Sequence, residues 1–228
     1  MGALANNWQR PLCASYSFKT QSHTHHWSQS NVCSTLWAVV GQLSFFSAEA
    51  RVPAKADLAG FLCGPGQAVS FARGTAARVY VELKDEWRHQ PLKQACAERD
   101  VTTELCVNEE GTRFVRTPFR TDLTPLAARW LDGSTKKVPA DFELNGAVLR
   151  VWALAAGSWM ESAYLLGLDP NAPQTHLPLQ NALLASGLPC TLVGAPALRV
   201  TGRRRLARLA ELVGSPPHGV ACSTWPAA

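Results

Sequence analysis

The same order of elements occurs twice along this chain, and that duplication restricts its fold more than any other feature. In the first pass, residues 52–66 (VPAKADLAGFLCGPG) read as a helix. Gly64-Pro65-Gly66 must end it, because proline has no N–H to donate and restricts the residue before it. Two strands follow, QAVSF and ARVYVELKD. In the second strand Val79, Val81 and Leu83 alternate with Arg78, Tyr80, Glu82 and Lys84, which gives one dry face and one charged face. Residues 87–100 read as a helix, TTELCVN and TRFVRTPF as a hairpin turning over residues 108–111, and residues 123–133 (LTPLAARWLDG) as a closing helix.

The second pass repeats this order in shortened form. Residues 144–157 (LNGAVLRVWALAAG) read as a helix ending in glycine, residues 158–168 as two short strands and residues 178–187 as a helix. CTLVG and ALRVTG form a hairpin across Ala195 and Pro196. Residues 203–214 (RRRLARLAELVG) close the repeat, with Leu206, Leu209, Ala210 and Val213 along one helical face. The expected fold class is therefore α+β, two αββαββ halves each closed by a further helix. The expected organisation is an N-terminal extension over 1–50, a first half over 51–133, a basic linker over 134–142, a second half over 143–214 and a tail over 215–228.

The extension differs in composition. Residues 1–48 contain no Asp or Glu and are rich in Ser, Thr, Gln and Asn, which fits an organelle transit peptide, a disordered tail or an ordered extension. Folded structure is expected to begin between Trp37 and Pro53. The cluster Ser22–His26 (SHTHH) has no Asp or Cys nearby and is not read as a metal site. Seven cysteines, an odd number in a chain large enough to fold without staples, read as reduced thiols. No Cys/His spacing supports zinc, and no apolar run reaches membrane-spanning length. No cofactor is called for.

Against this framework DLAGFLCGPG (residues 57–66), followed by a basic β ribbon, resembles the LAGLIDADG homing endonuclease and maturase family in its monomeric, two-motif form. KKVPADFEL (136–144) resembles the basic stretch leading into the second motif helix, and LRVWALAAGSW (149–159) lies where that helix ends. The resemblance spans residues 53–214. It implies two pseudo-symmetric αββαββ halves forming a concave β saddle, with the two motif helices packed together through small residues such as Ala59, Gly60, Ala153 and Ala156.

In active members an acid precedes the glycine that ends each motif helix, and the two carboxylates hold divalent metal at the scissile phosphates. Here those positions are Pro65 and Ala156, neither of which offers an oxygen ligand. A rival register takes residues 123–133 as the second motif and keeps one acid, Asp132; a turn aspartate before a glycine is the plainer reading of that residue. No catalytic residue and no metal are assigned. Ser70, Ser134, Ser158 and Ser186 lack a nucleophile context, and Cys63 reads as a small core residue.

Charge placement points to a polyanion. The net charge of +5 is too small to demand one, but its distribution is suggestive. Arg78, Lys84, Arg113, Arg116 and Arg199 fall in strands, Arg73 in a turn, Lys136 and Lys137 in the linker, and Arg203 and Arg204 at a helix start; Tyr80 adds a stacking surface. Singly each is an ordinary solvated residue. As a set with the resemblance they imply a catalytically inactive nucleic-acid-binding protein. RNA is favoured over DNA, with an intron-splicing, maturase-like role in a mitochondrion or chloroplast. The alternatives are a structural component of an organellar ribosome or other ribonucleoprotein, with protein partners, and a DNA-binding protein or residual endonuclease. A monomeric domain with no membrane association is expected.

Overall fold

The computed structural model describes residues 46–226. The transit-peptide reading of residues 1–45, and the histidine cluster within them, lie outside the described residues.

The first half opens with a short 3-10 turn, Lys55–Leu58, that runs into helix α1 (Ala59–Cys63). The Asp57 carboxylate organises this entry: it accepts the Ala54 N–H at 2.8 Å and pairs with the buried Arg99 guanidinium at 3.2 Å. α1 stops where Gly64-Pro65-Gly66 begins, and the Gly66 N–H turns back to the Phe61 carbonyl at 3.0 Å. Strands β1 (Gln67–Phe71) and β2 (Ala76–Glu82) follow, then α2 (His89–Ala97), β3 (Glu104–Val107), β4 (Arg113–Arg116) and α3 (Thr124–Trp130). The strands form one antiparallel sheet in the order β1-β2-β4-β3.

A two-residue hairpin, β5 (Leu131–Asp132) with β6 (Thr135–Lys136), links the halves. The second half repeats the plan: α4 (Gly146–Ala156), β7 (Gly157–Met160), β8 (Ala163–Gly167), α5 (His176–Ala185), β9 (Thr191–Val193), β10 (Ala197–Thr201) and α6 (Arg203–Val213). Its sheet order, β7-β8-β10-β9, matches the first position for position. Asn145 caps α4 by accepting the Val148 N–H at 3.0 Å.

The two motif helices pack on each other. A Cβ on Gly60 of α1 would strike the Val148 carbonyl oxygen and lie 2.6 Å from Val151 Cβ, so glycine is what allows the close approach. Around this contact runs one continuous core that includes the fully buried Trp130, Trp152, Trp225 and Tyr164.

One sequence expectation is corrected. The helix drawn over residues 123–133 ends at Trp130, because Leu131 and Asp132 leave it as an extended strand and Gly133, at φ +62°, makes the hairpin turn. Asp132 is exposed at the end of β5, and α3 packs on β1 and β2 of its own half, so the rival motif register fails. Residues 215–226, in the C-terminal tail, pack on the domain. Trp225 is buried beneath Arg150, and its indole N–H donates to the Gly214 carbonyl at 2.8 Å. Residues 46–50 also pack on the domain, within the span where folded structure is expected to begin: Ser47 is buried, and the Glu49 carboxylate accepts the Ser215 N–H at 2.8 Å.

Candidate nucleic-acid interface

The ends of the two motif helices lie together, since a Cβ placed on Gly64 would be 3.3 Å from Ala156 Cβ. Each end is occupied by a cation supplied by the chain. At the end of α1 the Lys136 ammonium donates to the carbonyls of Gly64 (2.7 Å) and Gly66 (2.8 Å) and to the Asp169 carboxylate (3.1 Å). Gln67 Nε2 donates to the same carboxylate oxygen, and the other oxygen accepts the Asn171 N–H at 2.9 Å. Burial pulls the Lys136 pKa down, and Asp169 opposes that shift. At the end of α4 the buried Arg88 guanidinium donates to the carbonyls of Leu154 (2.7 Å) and Gly157 (2.6 Å) and reaches back to Asp85 at 2.9 Å. Positive charge at a helix C-terminus is favoured by the helix dipole as well as by the unpaired carbonyls.

These residues do not fit a divalent metal. Positions 65 and 156 carry proline and alanine, and two cations already hold the surrounding carbonyl oxygens. Among the described residues no three His, Cys, Asp or Glu side chains come together in a metal-holding group. Lys136, expected at a nucleic-acid surface, is corrected to a buried internal cation. The alternation of β6 buries it and leaves Thr135 and Lys137 outside. Nothing in KKVP distinguishes the two lysines. Arg88, Arg99 and Asp169, the other members of these buried networks, have no motif that marks them in the sequence.

The faces of the two sheets turned away from the core carry the rest. On β2, Ala77, Val79 and Val81 are buried while Arg78, Tyr80 and Glu82 alternate to the other side. Register aligns residues into one row across each sheet: Gln67, Tyr80, Arg116 and Glu104 in the first, Ser158, Leu165, Arg199 and Thr191 in the second. Gln67 and Ser158 each follow the glycine that ends a motif helix, so Arg116 and Arg199 are equivalent positions. Arg116 is tempered by its neighbour Glu104 at 3.3 Å. The strands of the second sheet contain no acid, and Arg199 Nε is buried without a hydrogen-bond partner.

The remaining candidates divide. Lys84 is exposed just beyond β2, Arg73 in the β1–β2 turn at φ +58°, Lys137 after β6, and Arg203 and Arg204 at the start of α6. Tyr80 meets Phe114 edge-on at 6.2 Å on the outer face. Arg113 is corrected: it pairs in register with Val107 and alternates with Phe114, which puts it on the side opposite Arg116, where it binds Glu86 at 2.8 Å. No helix among the described residues is long and apolar enough to cross a membrane.

No family model matches the sequence, and no curated protein matches it. In structure the chain is similar to the homing endonuclease I-WcaI bound to its DNA recognition sequence. The TM-score is 0.51 at 14% identity, over 77% of this chain and 90% of that one. The N-terminal LAGLIDADG domain of DUF199/WhiA gives 0.47 at 13% identity, over 77% and 88%. The fold is thus LAGLIDADG-like: α+β, with two pseudo-symmetric halves whose sheets form a concave β saddle.

Proposed function

We propose that this chain is a LAGLIDADG-like protein that binds nucleic acid on its β saddle and does not cleave it. The observation that carries the reading is the equivalence of Arg116 and Arg199, one guanidinium in the same row of each sheet. A bound polyanion crossing both halves would meet a matching arginine in each, with Arg78, Arg73 and Lys84 adding charge on the first half and Arg203 and Arg204 on the second. The unpaired Nε atoms of Arg78 and Arg199 support a ligand that supplies acceptors, because a buried donor left unmet is costly. I-WcaI is a homing endonuclease bound to DNA. The absence of cleavage in this chain rests on Pro65 and Ala156 and on the cations Lys136 and Arg88 that fill both helix ends.

With chemistry removed, the role left is to clamp and position a nucleic acid. Structured organellar RNA, as in intron splicing, is the preferred ligand. A structural role in a ribonucleoprotein is a second reading, favoured by Leu177 and Leu184, seven residues apart on α5 and 64% and 57% exposed.

Filter binding of a structured RNA and of duplex DNA across a salt series tests the binding. Replacing Arg116 and Arg199 together by Ala should leave the fold intact and reduce the salt slope of log K by roughly 0.7 to 0.9 for each phosphate that is no longer neutralised. An unchanged affinity and slope in folded variant protein rejects the saddle as the binding surface. Tighter binding of duplex DNA would replace RNA by DNA, and strand cleavage with Mg²⁺ or Mn²⁺ would reject inactivity.

A further inference from the structure

Beside the arginine row the first sheet carries an exposed aromatic cluster that phosphate binding does not require. After β4 the chain stays alongside β2, with Thr117 bonded to Val79 (N–H to carbonyl, 2.9 Å) and Arg120 to Ala77 (2.8 Å). Between those two links Pro118 and Phe119 face the single residue Arg78, which is a β-bulge. Pro118 has no N–H to place in the ladder, so the extra residue is accommodated there. The bulge brings Phe119 beneath the Arg78 guanidinium, with Cζ 4.4 Å from the ring centre. Phe71, at the end of β1, packs against Phe119 with centroids 5.1 Å apart and planes at 41°.

This cluster lies open. Phe71 is 59% exposed and Phe119 39%. The register partner of Phe71 is Ala76, too small to cover it. A solitary exposed phenylalanine needs no explanation, but two in contact under a guanidinium, on the face that carries the cationic row, form a surface of defined chemistry.

We propose that Phe71, Phe119 and Arg78 form a stacking ledge for one unpaired base of a nucleic acid bound on the saddle. The proposal rests on the nucleic-acid reading above and adds the class of ligand feature that the site takes. Bases inside a regular duplex already stack on their neighbours and offer no free face; a bulged or looped base does. An aromatic ring with an adjoining guanidinium plane matches that free face, and Arg73, exposed two residues beyond Phe71, is placed to meet the phosphate beside it. The ledge has no group that reads base edges, apart from the Arg78 guanidinium, so it accepts any of the bases.

The test uses two RNA hairpins with the same stem, one fully paired and one with a single bulged 2-aminopurine. The full-length protein should bind the bulged hairpin about 5- to 150-fold more tightly, the range set by base–aromatic stacking, and quench its fluorescence. Phe71→Ala with Phe119→Ala should lose that preference and the quenching while keeping the affinity for the paired stem. Phe71→Leu, which preserves an apolar contact, should also weaken the quenching. Equal binding of both hairpins by wild type, without quenching, overturns the ledge and leaves the nucleic-acid reading standing. Binding of neither hairpin overturns both. A ledge serving a protein partner predicts the same affinities for wild type and double variant, and so also rejects the proposal.

Discussion

The Lys136 ammonium and the Asp169 carboxylate meet at 3.1 Å with their side chains 4% and 2% exposed, an ion pair shut inside the domain. Lys136 comes from the hairpin between the halves and Asp169 from the segment after β8, and both converge on the end of α1. One pair therefore ties together the first motif helix, the linker and the second half. Water cannot replace either partner, which makes the pair sensitive to the loss of one member and less sensitive to the loss of both.

Lys136→Met should accordingly lower the unfolding free energy by about 3 to 5 kcal/mol, because it leaves the buried Asp169 charge uncompensated and removes the cation from two helix-end carbonyls. Adding Asp169→Leu should recover part of that loss. Urea unfolding of wild type, both single variants and the double variant measures the coupling. Strictly additive losses would show that the two residues act independently.

Gly60 sets the distance between α1 and α4. An added methyl would meet the Val148 carbonyl oxygen, and would lie 2.7 Å from the Trp152 nitrogen. Both neighbours are backbone, which cannot swing aside as a flexible side chain could. Gly60→Ala should cost about 1 to 3 kcal/mol or more and lower Tm by several degrees. A thermal melt identical to wild type would mean that the helices can separate without loss.

The repeated elements were legible because they rest on local rules. The Val79/Val81 alternation fixed which face of β2 is dry, Gly-Pro-Gly ended α1, and Gly157 ended α4. The buried charges were not. Lys136 and Lys137 are adjacent and chemically identical, and only the pleat of a two-residue strand separates them. Arg113 differs from its expected place for a related reason: its strand is legible, but its parity relative to Arg116 puts it on the other face. The Phe71–Phe119 contact is not legible because Phe119 reaches the surface through a bulge, which breaks the alternation on which sequence reading depends.

Buried thiols give a pH dependence. Cys96 is pushed by burial up to about 12 from 9.0, with Arg99 opposing. In the unfolded chain this thiol ionises near pH 9, whereas in the folded chain it keeps its proton. Its contribution is fully present below pH 9 and is lost as pH rises from 9 towards 12, at up to about 1.4 kcal/mol per pH unit. Denaturant unfolding between pH 8 and pH 11, wild type against Cys96→Ala, should show a shallower alkaline decline in the variant, and parallel declines would contradict the assignment.

The helix ends carry the final prediction. Adding back acids as Pro65→Asp and Ala156→Asp would place carboxylates beside cations that are already bound. Position 65 lies between Gly64 and Gly66, whose carbonyls hold Lys136, and position 156 precedes Gly157, whose carbonyl holds Arg88. A new carboxylate there meets an ammonium or a guanidinium before it meets a metal, so the pair is neutralised internally and the ion gains little by shedding its water. The double variant should therefore show no stoichiometric heat of Mg²⁺ or Mn²⁺ binding by titration calorimetry, and no metal-dependent nicking of supercoiled DNA. Removing the competing charge as well, with Lys136→Met added, should raise the metal affinity if the variant folds, which circular dichroism checks. Stoichiometric metal binding by the acid variant with Lys136 and Arg88 intact would show that these cations do not control the site.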